Sequence, residues 1–377
     1  MFNSYVYFYF LLRLIPLFAP REQPNSGEPV APIDQPAPAV VLHGSGGTVA
    51  AFSEDGKILL TAGEGAARVW DAKSFQPRTA PLLHPGKINA AAISSDGHKV
   101  LTAGEDRTVR IWDAETGAVI RVFKHGGPVL SAAFSPDGTH VISGSKDNTA
   151  QIWETTPGGP IVTMRFKYEA FQVTFSPGGD KVSILSGSAI SLFDAKTGQS
   201  ATSPDREWME VCFHVTFSPD GKQLVSAGET SATVVDVATE KIIAAAHVWP
   251  QDSPWRVFTA AYTRDGSKLV TGTTGLVQVW NSATCRPLTK ELKGDDLDYF
   301  ETVGFSRDGK RVFAGGDSAD YTNVWAVWDS KSGKSVQAVR YGHSAQGYAL
   351  SPDGTLVAGG GLKLGDTGIW KLPADDK

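Results

Sequence analysis

From residue 39 onward the chain is written in short apolar runs divided by polar turns. The clearest stretch is Val129–Phe134, followed by Ser135-Pro136-Asp137-Gly138 and then by the runs Val141–Ser143 and Thr149–Trp153. Runs this short, rich in β-branched and aromatic residues and bounded by Gly, Pro, Asp and Ser, predict strands. Pro136 suits a turn position that wants φ near about −65°, and Gly138 one where positive φ is cheap. The segment therefore predicts a tight turn between two strands.

The same segment returns down the chain. Its glycine recurs at 56, 97, 138, 179, 221, 266, 309 and 354, at spacings of 41 to 45 residues. Each follows an apolar position: Phe52, Ile93, Phe134, Phe175, Phe217, Tyr262, Phe305 and Leu350. A later apolar run closes on Trp70, Trp112, Trp153, Phe193, Val235, Trp280, Trp328 and Trp370, and an acid often comes next, as in Trp112-Asp113 and Trp153-Glu154. A further strand follows each closing residue, as Val119–Phe123 follows Trp112. The chain thus holds eight units of four short strands. One such sheet cannot bury both of its faces, so neighbouring units must stack.

This pattern resembles the WD40 repeat family, whose members are β-propellers built of four-stranded blades, and the resemblance runs over residues 39–371. In that family a His, a Ser or Thr, an Asp and the Trp form a hydrogen-bonded network within a blade. The resemblance assigns this network to His125, Ser143, Asp147 and Trp153 in the third unit, and to His84, Thr102, Asp106 and Trp112 in the second. The first unit keeps His43, Thr61 and Trp70 but has Gly65 where the Asp should stand, and later units lose more members. The expectation is an all-β, eight-bladed propeller; the alternative is seven blades with one degenerate unit displaced. Val40-Val41-Leu42 has the register of an outermost strand, while none follows Trp370 before the chain ends at Lys377. Residues 39–43 are therefore expected to complete the last blade and remove its open edge.

Two segments precede the repeats. Residues 1–20 are an apolar stretch interrupted by Arg13 and Pro16, short of the ~20 apolar residues that a spanning helix needs. They read either as a signal or anchor, giving export or membrane tethering, or as a mis-called start, giving a cytoplasmic protein. Residues 21–38 are a Pro-rich linker and residues 372–377 a short tail.

Composition narrows the function classes. The 41% apolar and 20% charged residues suit a folded core, and 35 Lys+Arg against 40 Asp+Glu give a net charge of −5. That balance argues against nucleic acid or an anionic membrane surface as a general partner. Two cysteines, Cys212 and Cys285, cannot make a disulfide framework or a multi-thiolate zinc site. Gly333-Lys334-Ser335 lacks the leading glycine of a phosphate-binding loop, and His43-Gly44-Ser45-Gly46-Gly47 has no nucleophile elbow to accompany it. Asp295-Asp296-Leu297-Asp298 lacks the glycine and final glutamate of a calcium loop. No catalytic residue, metal or cofactor is assigned.

Loop length points to a partner. The intervals between turn and closing residue, and between one unit and the next, lengthen over units five to eight, on what the family calls its top face. These stretches carry Arg206, Trp208, Trp249, Trp255, Arg256, Tyr299, Phe300, Tyr321 and Trp325, beside several acids. Aromatics and Arg in polar surroundings dominate binding hot spots. The same rings also suit the cover of blade edges where the network has decayed. The reading is a monomeric, non-catalytic scaffold binding a protein or peptide; the alternative is a propeller hydrolase or lactonase with a metal in the central channel.

Overall fold

The computed structural model describes residues 37–44, 47–156, 159–201, 212–228, 231–247, 257–273, 275–293, 299–317, 322–341, 347–361 and 365–374. These residues form antiparallel strands of mostly five to seven residues, with no helix among them. The turn after each first strand is built as the sequence implies. In the third unit Ser135 Oγ donates to Asp137 Oδ1 and accepts from the His140 amide at 2.9 Å, and Gly138 has φ 67°.

Hydrogen bonding joins the strands into seven sheets, which corrects the expected count of eight. Units one and two share one six-stranded sheet, continuous through the long strands Ile58–Asp71 and Leu82–Ile93. The cause lies at Gly65. In the second unit Asp106 accepts from the amide and hydroxyl of Thr108, and in the third Asp147 does the same for Thr149, so each ends one strand and starts the next. Gly65 offers no such side chain. The strand doubles back there with φ 78°, since Trp70 Nε1 reaches Thr61 Oγ1 at 2.8 Å across nine residues, a span of about 30 Å if extended. The total of seven agrees with the alternative, although it arises from this sharing and no degenerate unit is displaced.

The core lies between sheets. One cluster joins Leu101, Val109, Ile111 and Phe123 of unit two to Val129, Phe134, Val141 and Trp153 of unit three, all buried. Another joins Trp325, Val327 and Val339 of unit seven to Tyr348, Val357 and Trp370 of unit eight. The first strand of each unit contacts that of the next, and Tyr348–Leu350 contacts Gly47–Phe52, so the stack returns on itself as a ring.

The N-terminal strand closes that ring. Val40–Leu42 pairs antiparallel with the last strand, Thr367–Lys371, in the register Val40↔Ile369, Val41↔Gly368 and Leu42↔Thr367. Leu42 is buried in the cluster that holds Leu59, Trp70, Ala358 and Ile369. Deleting residues 39–43 should lower the melting temperature sharply, and Leu42→Ala alone should cost about 2–5 kcal/mol. A melt unchanged by the deletion would remove the closing role of this strand.

Candidate functional site

The two complete networks are assembled as their residues imply. In unit two Trp112 Nε1 donates to Thr102 Oγ1 at 2.9 Å, Thr102 meets His84 Nδ1 at 2.8 Å, and His84 Nε2 meets Asp106 Oδ1 at 2.9 Å. In unit three the chain runs Trp153 to Ser143 at 2.9 Å, Ser143 to His125 Nε2 at 2.8 Å, and His125 Nδ1 to Asp147 at 3.2 Å. Donors and acceptors alternate along each chain only if the imidazole is neutral, donating to the Asp and accepting from the hydroxyl. Burial pushes the pKa of both histidines down, against the pull of the facing aspartates, and so favours that neutral form. These groups are fully committed to each other and to the sheet, which makes them supports and not reagents.

In unit one the expected set is split. Thr61 holds Trp70, but His43 is largely exposed and bonds Asp366 of the last unit at 3.2 Å, beside the closing strand. The Gly44 amide adds a second bond to the same carboxylate, at 3.1 Å.

The predicted partner residues fall into three groups. Arg206, Trp208, Trp249, Trp255, Arg256 and Tyr321 lie outside the described residues. Tyr299 is the first residue of the strand Tyr299–Phe305, paired with Asp317. Phe300 and Trp325 are corrected: both are fully buried, Phe300 edge-on to Trp328 and Trp325 edge-on to Trp370. Both sit on strands of unit seven that carry sheet-to-sheet packing, Phe300 in the cluster shared with unit six and Trp325 in the cluster shared with unit eight, so they are core residues.

The structure adds a feature that single-unit patterns do not reveal. The first strand of each of units one to seven shifts register by one residue near its start. The bulged positions are Thr48, Asn89, Leu130, Phe171, Phe213, Phe258 and Glu301. A bulge re-aims the extra side chain. The shared position lies at the top end of the innermost strands, apolar from Leu130 to Phe258 and polar at Asn89 and Glu301, and Asn89, Leu130, Phe171 and Phe258 are buried there. Phe213 and Phe258 are neighbours, with ring centroids 6.0 Å apart. Asn89 is tied down by Val129 O at 2.9 Å.

The top end of unit seven is electrostatically unusual. Asp317, Asn323 and Tyr341 share one cross-strand row, and Tyr348 Oη reaches over from unit eight to donate to Gly316 O at 3.0 Å and to meet Asn323 Oδ1 at 3.2 Å. Asp317 Oδ1, Tyr341 Oη and Trp325 Nε1 are buried there with no hydrogen-bond partner. Burial, with the charge of Asp317 beside it, pushes Glu301 up to about 8; burial pushes Asp317 up to about 7. Perturbed carboxylates of this kind gather at functional sites more than elsewhere. Among the described residues, no group of three or more His, Cys, Asp and Glu is placed to hold a metal ion.

A ring of antiparallel sheets, stacked face to face and closed by the strand Val40–Leu42, with Trp–Ser/Thr–His–Asp networks in units two and three, defines a WD40-type β-propeller. Residues 38–71, 80–113 and 117–154 match the family described as "WD domain, G-beta repeat", so the first three units are WD40 repeats. Among solved structures, the computationally designed Ika8 protein is similar at 22% identity and a TM-score of 0.74, covering 89% of this chain and 100% of that one. The C-terminal WD40 domain of Sif2 is similar at 16% identity and a TM-score of 0.74, covering 89% and 98%. No curated protein matches the chain. WD40 propellers commonly act as protein-interaction scaffolds and are generally non-catalytic.

Two measurements check these assignments. Ser143→Ala leaves His125 and Trp153 without their shared hydroxyl and should cost about 1–3 kcal/mol; thermal or denaturant unfolding reads it, and no loss would separate the network from stability. The raised carboxylates set a pH trend. Glu301 and Asp317 ionise more readily in the unfolded chain, so their contribution is complete below the ordinary carboxylate range and is lost as pH rises toward 7 and 8. Stability should therefore fall between pH 5 and 8, and Glu301→Gln should flatten part of that slope and raise the melting temperature at pH 8. Identical profiles for both proteins would refute the assignment of Glu301.

Proposed function

We propose that this protein is a non-catalytic platform that binds a protein or peptide partner on its top face, over units five to eight. The observation that carries this reading is that the intervals between strands lengthen over units five to eight, the sector the sequence elaborates most. Aromatic and Arg side chains in polar surroundings are the combination that hot spots use. The long inter-strand stretches of the same sector, with Arg206, Trp208, Trp249, Trp255, Arg256 and Tyr321, add aromatic and Arg anchors in the sequence around it. Loops held on a rigid frame are where binding residues concentrate. The partner's class, a protein or peptide, rests on what propellers of this family commonly do. It acts as a monomer in this reading.

The test is capture of partners by residues 39–377, beside a variant combining Trp249→Ala and Tyr299→Ala. The expected outcome is a specific partner retained by the parent and lost from the variant, with melting temperatures that agree within about 2 °C, the small change expected of substitutions at a binding surface. Equal capture by both proteins, or collapse of the variant's melt, would overturn the placement of the site.

A further inference from the structure

The bottom face carries the turns between the first and second strands. In four of them the second residue is proline, and its ring seals the seam to the next unit's turn glycine. A Cβ built on Gly179 would lie 3.6 Å from Pro136, on Gly221 3.5 Å from Pro177, on Gly266 3.6 Å from Pro219, and on Gly56 3.7 Å from Pro352. Units six and seven place arginine at this position, Arg264 and Arg307, and unit one places Glu54. At the seam where Arg264 stands in place of proline lies a cavity of about 260 Å³, lined by Arg264, Lys268, Arg307, Asp265 and Asp308 with the small residues of both turns.

Charge in this cavity is unevenly committed. Asp265 is held by its own turn, accepting from Thr263 Oγ1 at 2.6 Å, the Ser267 amide at 3.0 Å and the Ser267 hydroxyl. Asp308 accepts from Ser306 Oγ at 2.7 Å and the Lys310 amide at 3.0 Å. The cations are less occupied. Lys268 Nζ spends two donors, on Ser330 Oγ at 2.9 Å and Gly309 O at 3.4 Å. Arg264 Nη2 pairs with Glu54 Oε1 at 3.1 Å, and Arg307 Nη1 donates to Glu54 O at 3.4 Å. No other side-chain hydrogen bond of these two guanidinium groups is made among the described residues. Glu54 and Arg264 are each more than half exposed, so their pair is open to exchange.

We propose that this bottom-face cavity binds a phosphate monoester, with Arg264 and Arg307 gripping its oxygens, Lys268 adding charge, and the Glu54 carboxylate as the internal anion it displaces. A lone carboxylate has two oxygens and can be satisfied by one guanidinium fork, whereas Glu54 meets Arg264 through one oxygen. A phosphoryl group has three terminal oxygens and a second charge, which two forks and an ammonium match. Glu54 comes from unit one and the arginines from units six and seven, so occupation would exchange a tie across the ring for a ligand. The site lies on the face opposite the proposed partner surface and stands without it.

The experiment is calorimetric titration of the full chain with O-phosphoserine and, separately, with acetate, at fixed ionic strength. Saturable binding of O-phosphoserine is expected, with acetate weaker. Arg264→Gln with Arg307→Gln should lower the affinity by about tenfold or more, the scale of losing charge-assisted hydrogen bonds. Glu54→Gln should raise it by about threefold, by freeing Arg264 from an exposed pair. A merely structural role for Glu54 predicts the opposite sign. The proposal is overturned by binding that is unchanged in the double arginine variant, by acetate binding as tightly as O-phosphoserine, by weaker binding in Glu54→Gln, or by no saturation up to about 10 mM, a very weak affinity. Because these residues are exposed, the melt of each unliganded variant should match the parent, and Arg264→Lys with Arg307→Lys should retain part of the affinity.

Discussion

Every sheet in this molecule has two apolar faces, and that constraint governs the rest. A four-stranded sheet with buried residues on both sides, as in the all-buried strand Val129–Phe134, is unstable in water unless it is covered twice. Here the cover on each side is another sheet. The hydrophobic clusters accordingly belong to interfaces between units, and the only arrangement that leaves no uncovered face is a ring. The hydrogen-bonded networks of units two and three are secondary to this. They use Trp112 and Trp153, whose rings already fill the interface, and tie the indole nitrogens so that burying them costs little.

Closure carries a local cost that the chain meets with side chains. At the junction of first and last strands, His43 and the Gly44 amide both bond Asp366. Elsewhere around the ring, side chains stitch the inner strands: Gln172 both donates to Val215 O and accepts from its amide. At the top of units seven and eight the polar groups are less well served. Asp317, Tyr341 and Trp325 hold buried atoms without partners, next to the longest interval between turn and closing Trp. Local polar dissatisfaction thus sits where the sequence is most elaborated, a departure from the regularity of the other units.

Much of this was legible before any coordinates. The repeat spacing set the strands, the Ser-Pro-Asp-Gly segments set the turns, and the position of Val40–Leu42 set the closure, because each depends on local chemistry or on a count along the chain. The networks of units two and three were equally readable, since the residues bond at fixed offsets. What escaped notice depends on geometry between units. Phe300 and Trp325 read as loop aromatics because hot-spot composition and core composition share the same side chains; only the pleat, which turns both inward, separates them. The shared sheet of units one and two follows from one missing carboxylate at Gly65, whose effect on strand continuity is set by how the strands pair and not by local sequence. The bottom-face arginines were hidden for a different reason. Each looks like an ordinary turn residue until the turns of neighbouring units are brought side by side.

The clasp between Val40–Leu42 and Thr367–Lys371 also orders events in time. Ribosomal synthesis delivers the first of these strands more than three hundred residues ahead of its partner. Until the last unit emerges, the early strand has an exposed edge and Leu42 has no complete cluster to enter. Intermediate units can stack as they appear, each covering the one before, while both ends of the growing arc remain sticky. The nascent ring is therefore most exposed to mispairing just before Thr367–Lys371 emerges, and a product lacking that strand would keep an unpaired edge. Loss of a few residues at the end of the chain is then a defect of the whole circle, felt first at its beginning.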